Sequence, residues 1–159
     1  MNKETAGQHS FKGLVRRLAK EGPVKTHPTP RRVRILFNGA IVGDTLGTPG
    51  AMYVWEHEYY PQLYLPVEAL VPAPGFDVVI STGDNIDDGE GHVFGVEIKV
   101  SVKPVGGSND EFKSLSDIVR FAGDLEGKAK PLRNLVKVDF GAVGESSNGE
   151  GTWERVVTC

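Results

Sequence analysis

The chain has 159 residues, 39% of them hydrophobic, and a formal charge of −3. This is enough to build one core and too little for two full domains. It holds no apolar run long enough to span a bilayer, and Lys3, Glu4, Gln8 and His9 break up any secretory signal, so a cytoplasmic protein is expected. The single cysteine, Cys159, excludes an intrachain disulfide and a cysteine-based zinc cluster.

Charge is divided unevenly along the chain. Residues 1–34 carry nine Lys and Arg against Glu4 and Glu21, whereas the remainder carries nine against nineteen acids. An acidic body is a poor surface for a phosphate backbone, so no nucleic-acid partner is expected. In the basic leader, Phe11, Leu14, Val15 and Leu18 share one helical face opposite Lys12, Arg16 and Lys20, and Gly22-Pro23 ends the helix. Packing of that apolar face onto the chain's own domain is the commoner fate of such a helix; a partner's groove or a membrane surface is the alternative. Residues 23–30 contain three prolines and read as an extended linker. Residues 1–30 thus form a helix and linker, and 31–159 a single β-rich domain.

From Arg31 the period becomes two: Val33, Ile35 and Phe37 alternate with Arg32, Arg34 and Leu36, and Asn38-Gly39 signals a hairpin. Further strands are predicted over 40–46, 52–56, 62–65, 76–81, 93–103 and 135–140, with Trp153 to Val157 pairing at an edge. Residues 112–122 fit two readings, because Phe112, Leu115, Ile118, Val119 and Ala122 suit a helix while 117–121 suit a strand. Some seven strands joined by short turns predict a mainly β domain, an antiparallel sandwich or partly open barrel.

Familiar catalytic motifs fail one by one. Gly123 to Lys128 is one residue short of a phosphate loop, and Ala129 stands where a hydroxyl residue would hold magnesium. The acidic loop 84–91 places Asp84, Ile86 and Asp88 at calcium-ligand spacing, but Gly95 replaces the bidentate glutamate. His9, His27, His57 and His92 have no metal spacing, so neither a metal nor a cofactor is expected.

The stretch from Tyr53 to Pro66 holds all four tyrosines and one of two tryptophans. Tyr53, Trp55, Tyr59, Tyr60 and Tyr64 are the kind of side chains that wall a ligand pocket, each giving contact area and a polar tip. Glu56, His57 and Arg34 are the candidates to polarise or exchange protons with a bound carbonyl or carboxylate. The competing reading is packing, with Tyr53 and Trp55 toward the core and Glu56 and Glu58 toward solvent.

The run from Arg31 to Gly39, then Asp44-Thr45, then Val54-Trp55-Glu56-His57 through Tyr60-Pro61-Gln62 to Tyr64-Leu65-Pro66, resembles the fungal branch of domain-of-unknown-function family 427. It is similar to a single, divergent first unit of the longer two-unit relatives. The resemblance implies a compact antiparallel β fold with an internal cleft and no established reaction. A nucleotidyl-transferring label has been attached to the family, yet no paired metal-binding carboxylates accompany a nucleotide site here.

The expected function is therefore a cofactor-free cyclase or isomerase of specialised, fungal-type metabolism, acting on a small apolar metabolite such as a terpenoid or polyketide acid through shape and hydrogen bonds. The alternative is a non-catalytic binding module with a basic leader. Exposed sheet edges leave room for a homodimer.

Overall fold

The computed structural model describes residues 2–71, 74–138 and 153–158. In chain order it consists of α1 (Asn2–Glu21), β1 (Lys25–Thr29), β2 (Val33–Phe37), β3 (Ala40–Asp44), β4 (Ala51–Trp55), β5 (Gln62–Pro66), β6 (Phe76–Asp87), β7 (Val93–Pro104), β8 (Lys113–Phe121), β9 (Leu135–Val138) and β10 (Trp153–Thr158). The fold is mainly β, as expected. The loop read at 144–151 and the last two residues of the strand read at 135–140 lie outside the described residues.

Two antiparallel, unclosed sheets form. The larger runs β1-β4-β5-β9-β8-β7-β6 and the smaller β10-β2-β3. Asn38 and Gly39, with φ of 53° and 83°, make the β2–β3 turn that their sequence signals. The small sheet covers one face of the large one: Val33, Ile35 and Phe37 pack with Leu65, Val100, Ile118 and Val136. The opposite face is covered by α1, whose Val15 and Leu18 pack with Val54, Tyr64, Val119 and Phe121. Alternate residues of the central strands therefore serve two separate cores.

The amphipathic helix thus packs on its own domain. Gly22, at φ +80°, ends it by donating its N–H to Leu18 O at 2.8 Å. The basic face meets the acidic body: Lys12 Nζ lies 3.6 Å from Glu97, Arg16 Nε donates to Asp87 O at 2.9 Å, and Arg17 donates to Glu56 O at 3.0 Å. The proline-rich stretch expected to be a linker is extended, and it is paired: β1 lies against β4 at the sheet edge, where Pro28 has no inner ladder to break.

The ambiguous segment 112–122 is a strand, and the reason for its helical spacing is a bulge. Val100 pairs with Leu115 and Ile98 with Ile118, so Ser116 and Asp117 together oppose Lys99. The extra residue keeps Leu115 and Ile118 on the same face at a spacing of three. Asp117 takes φ +63°, a left-handed conformation that aspartate tolerates better than most side chains. A second bulge sits across β7, where Gly83 and Asp84 lie between the pairs Thr82–Ile98 and Asn85–Val96, opposite Glu97.

Candidate functional site

The structure distributes the residues singled out from the sequence over four places. Glu56 and Tyr64 come together under α1: Tyr64 donates its hydroxyl to Glu56 Oε2 at 2.7 Å, and Lys137 Nζ donates to the same oxygen at 2.6 Å. The Glu56 and Lys137 side chains are each 7% exposed. Tyr64 stacks on Phe121 at a centroid distance of 5.8 Å. Burial, then the Glu56 charge and hydrogen bond, raise the Tyr64 phenol well above its ordinary value of 10.0, against a smaller opposing effect of Arg17.

This shift fixes a pH dependence. A raised acid stays protonated in the folded chain after the unfolded chain has lost its proton, so folding stability is intact below about pH 10 and falls as pH rises above it. Tyr64→Phe is expected to flatten the alkaline decline in a series of urea melts, at a cost of about 1–3 kcal/mol at neutral pH from the lost hydrogen bond. An unchanged alkaline decline would show that another group controls it.

His57, Tyr59 and Tyr60 form the second place, the turn between β4 and β5. The imidazole ring lies 5.1 Å from each tyrosine ring, and Tyr59 and Tyr60 are 82% and 58% exposed. Tyr53 and Trp55 share the strand face of Ala51, on the far side of the sheet from Glu56, with Lys25 Nζ 4.4 Å above the Trp55 ring. Arg34 is in the small sheet, with Asp44 as its cross-strand partner. There Arg32 makes a two-pronged bond to Asp44, at 3.0 and 2.8 Å. That bond is the chief reason the Asp44 carboxyl is held down to about 2. Arg34 thus belongs to a charge group of the small sheet, separate from Glu56 and His57.

A cleft of about 450 Å³ lies elsewhere, between the middle of α1 and the helix-side face of β6, β7 and β8. Its lining includes Phe11, Ser81, Glu97, Lys99, Ser116 and Asp117. Both bulges open onto it. A regular ladder would project side chains at even spacing; two successive two-against-one pairings break that spacing opposite Glu97 and Lys99 and bend β6 and β8 there. The volume falls within the range of small-molecule sites. The lining offers hydroxyls, carboxylates and an ammonium beside the apolar Phe11, while the Ile98 side chain belongs to the core under the small sheet. Asp87 and Asp88, in the acidic loop, accept backbone N–H bonds within their own turn, from Gly89 and from Glu90 and His92. Among the described residues no group of three or more His, Cys, Asp and Glu is placed to hold a metal ion, and no helix is long and apolar enough to cross a membrane.

Residues 25–75 match the family described as Domain of unknown function (DUF427). No curated protein and no solved structure matches the chain. The matching segment runs from β1 to the threshold of β6 and contains Arg34, the aromatic stretch, Glu56 and Tyr64. The likeness to DUF427 covers about a third of the chain and is confined to that segment. Lys137 and every residue lining the cleft lie outside it.

No motif in the sequence marks the cleft residues. The one trace is the broken period of 112–122: a strand that spaces two core residues three apart contains a bulge, and bulges gather near binding sites. The alternation of Val136, Lys137 and Val138 predicts a solvated lysine. Lys137 does turn away from the small sheet, but α1 covers that face.

Proposed function

We propose that this domain binds a small organic molecule in the α1/β6–β8 cleft and isomerises or cyclises it without a cofactor. The observation that supports the reading is the coincidence of the cleft with two bulges and a left-handed aspartate around Glu97 and Lys99. The molecule has an apolar skeleton, lying on Phe11, and an acid or carbonyl head facing Lys99, Ser81 and Ser116; a terpenoid or polyketide acid has that form. Lys99 and the hydroxyls stabilise negative charge developing on the head oxygen. Glu97 takes a proton from the adjacent carbon and returns it at a second carbon, so the reaction needs no external oxidant or reductant. The order of motifs over residues 31–66 supports the fungal branch of DUF427 as its origin. A binding role without catalysis is the second reading, favoured by the exposure of Tyr59 and Tyr60.

A thermal-shift screen of terpenoid and polyketide acids, nucleotides and divalent metals tests this. An acid present at a hundred times its Kd adds about 2.7 kcal/mol, a rise of about 5–10 °C. A Cβ at Gly83 has only ordinary contacts with Glu97, 3.5 Å away, so Gly83→Ala narrows the cleft without a clash. That variant and Lys99→Ala are expected to abolish the rise, while His57→Ala and Tyr60→Ala retain it. The reverse pattern would move the site to the aromatic turn. A ligand returned chemically unchanged after long incubation would support binding alone.

A further inference from the structure

β6 is the last strand of the large sheet, and among the described residues no strand pairs with its outer edge. Between Phe76 and Thr82 it runs in unbroken register with β7. This stretch lacks the usual protection of an edge: it has no proline and no lysine, and its one charge, Asp77, is tied to Lys103 Nζ at 2.7 Å. Val79 and Ile80 are 50% and 43% exposed. The same strand supplies Ser81, Thr82 and Gly83 to the cleft, so this edge bounds the cleft on one side.

We infer that β6 pairs antiparallel with β6 of a second copy of this chain, about a twofold axis through Val79, and that the partner completes the outer wall of the cleft. A twofold axis perpendicular to the sheet keeps each face on its own side, so opposed residues must share a face and the axis must pass through a residue. Centred on Val79, the register opposes Val79 to Val79, Val78 to Ile80, Asp77 to Ser81 and Phe76 to Thr82. No carboxylate faces another, and the exposed Val79 and Ile80 gain β-branched partners. This self-complementarity points to a second copy rather than to an unrelated strand. Ser81 pairs with Lys99, so it lies on the helix side of the sheet, and the pairing sets the partner's Asp77 beside it at the mouth of the cleft. Closure of the cleft rests on the function proposed above; the pairing itself does not.

One strand pair buries well under the roughly 1,600 Å² of a standard interface, so self-association in the micromolar range is expected. Light scattering after size exclusion should give a dimer at high concentration that dissociates on dilution. Val79→Lys should give a monomer with an unchanged circular-dichroism spectrum. In a Cys159→Ser background, Val79→Cys should cross-link to a covalent dimer on mild oxidation, whereas Asp84→Cys should not. A wild-type monomer at every concentration, a dimer that survives Val79→Lys, or cross-linking of the Asp84→Cys variant in place of the Val79→Cys variant would each overturn the inference. Dimerisation without ligand binding would leave the pairing standing and remove only the shared cleft.

Discussion

Replacing Glu56 with alanine is expected to destabilise the fold by about 3–5 kcal/mol, because it strands the Lys137 ammonium under α1 with no carboxylate to balance it. Tyr64 loses its acceptor in the same step. The origin of the loss is separable. If it comes from an uncompensated buried charge, then Glu56→Leu combined with Lys137→Met should recover most of it, since a buried ion pair replaced on both sides by apolar groups is often neutral or stabilising. Urea denaturation of the two variants and the wild type reads the difference directly. A Glu56→Ala cost below about 1 kcal/mol would mean that the carboxylate is solvated, as surface pairs are.

The second large effect is expected at Gly22, the hinge between α1 and β1. A Cβ there would stand 2.5 Å from Lys128 Cβ and 2.6 Å from its carbonyl oxygen, in a left-handed conformation that costs a non-glycine residue about 1 kcal/mol. The 3-10 turn that carries Lys128, Gly127–Leu132, cannot retreat far, because its own Ala129 and Leu132 are buried. Gly22→Ala should therefore lift the end of the helix, weakening the burial of Leu18 and Val15, worth about 1.5–3 kcal/mol each when complete. A total loss of about 3 kcal/mol, with accelerated amide exchange concentrated in α1, is the expected result. Gly13→Ala is the control. Nothing lies within 4 Å of its Cβ, and removing a mid-helix glycine should stabilise the chain by about 0.5–1 kcal/mol. Equal effects at the two positions would contradict the seating of α1.

Where one face of an element meets one core, the pattern in the sequence is direct. Val33, Ile35 and Phe37 announce β2, Asn38-Gly39 its turn, and Phe11 to Leu18 the buried stripe of α1. Legibility fails where the chain serves two layers. In β9, Val136 and Val138 imply a solvated Lys137, and only the placement of α1 on the other side makes that lysine a buried partner of Glu56, eighty-one residues away. Likewise, Glu56 and His57 are equivalent titratable neighbours in sequence. The end of β4 sends one under the helix and the other into an exposed turn. The cleft is the least legible part, because its lining comes from four elements with no shared spacing.

The β8 bulge has one more consequence. Lys113–Leu115 and Ile118–Phe121 are already in phase with β7 on either side of it, so without Asp117 the ladder would close with every core residue on its present face. The residue is thus an insertion that the phase of the ladder does not require. Within β8, the residues that fill the cores and the residues that shape the cleft are different, which leaves Ser116 and Asp117 free to vary the cleft without moving a core side chain.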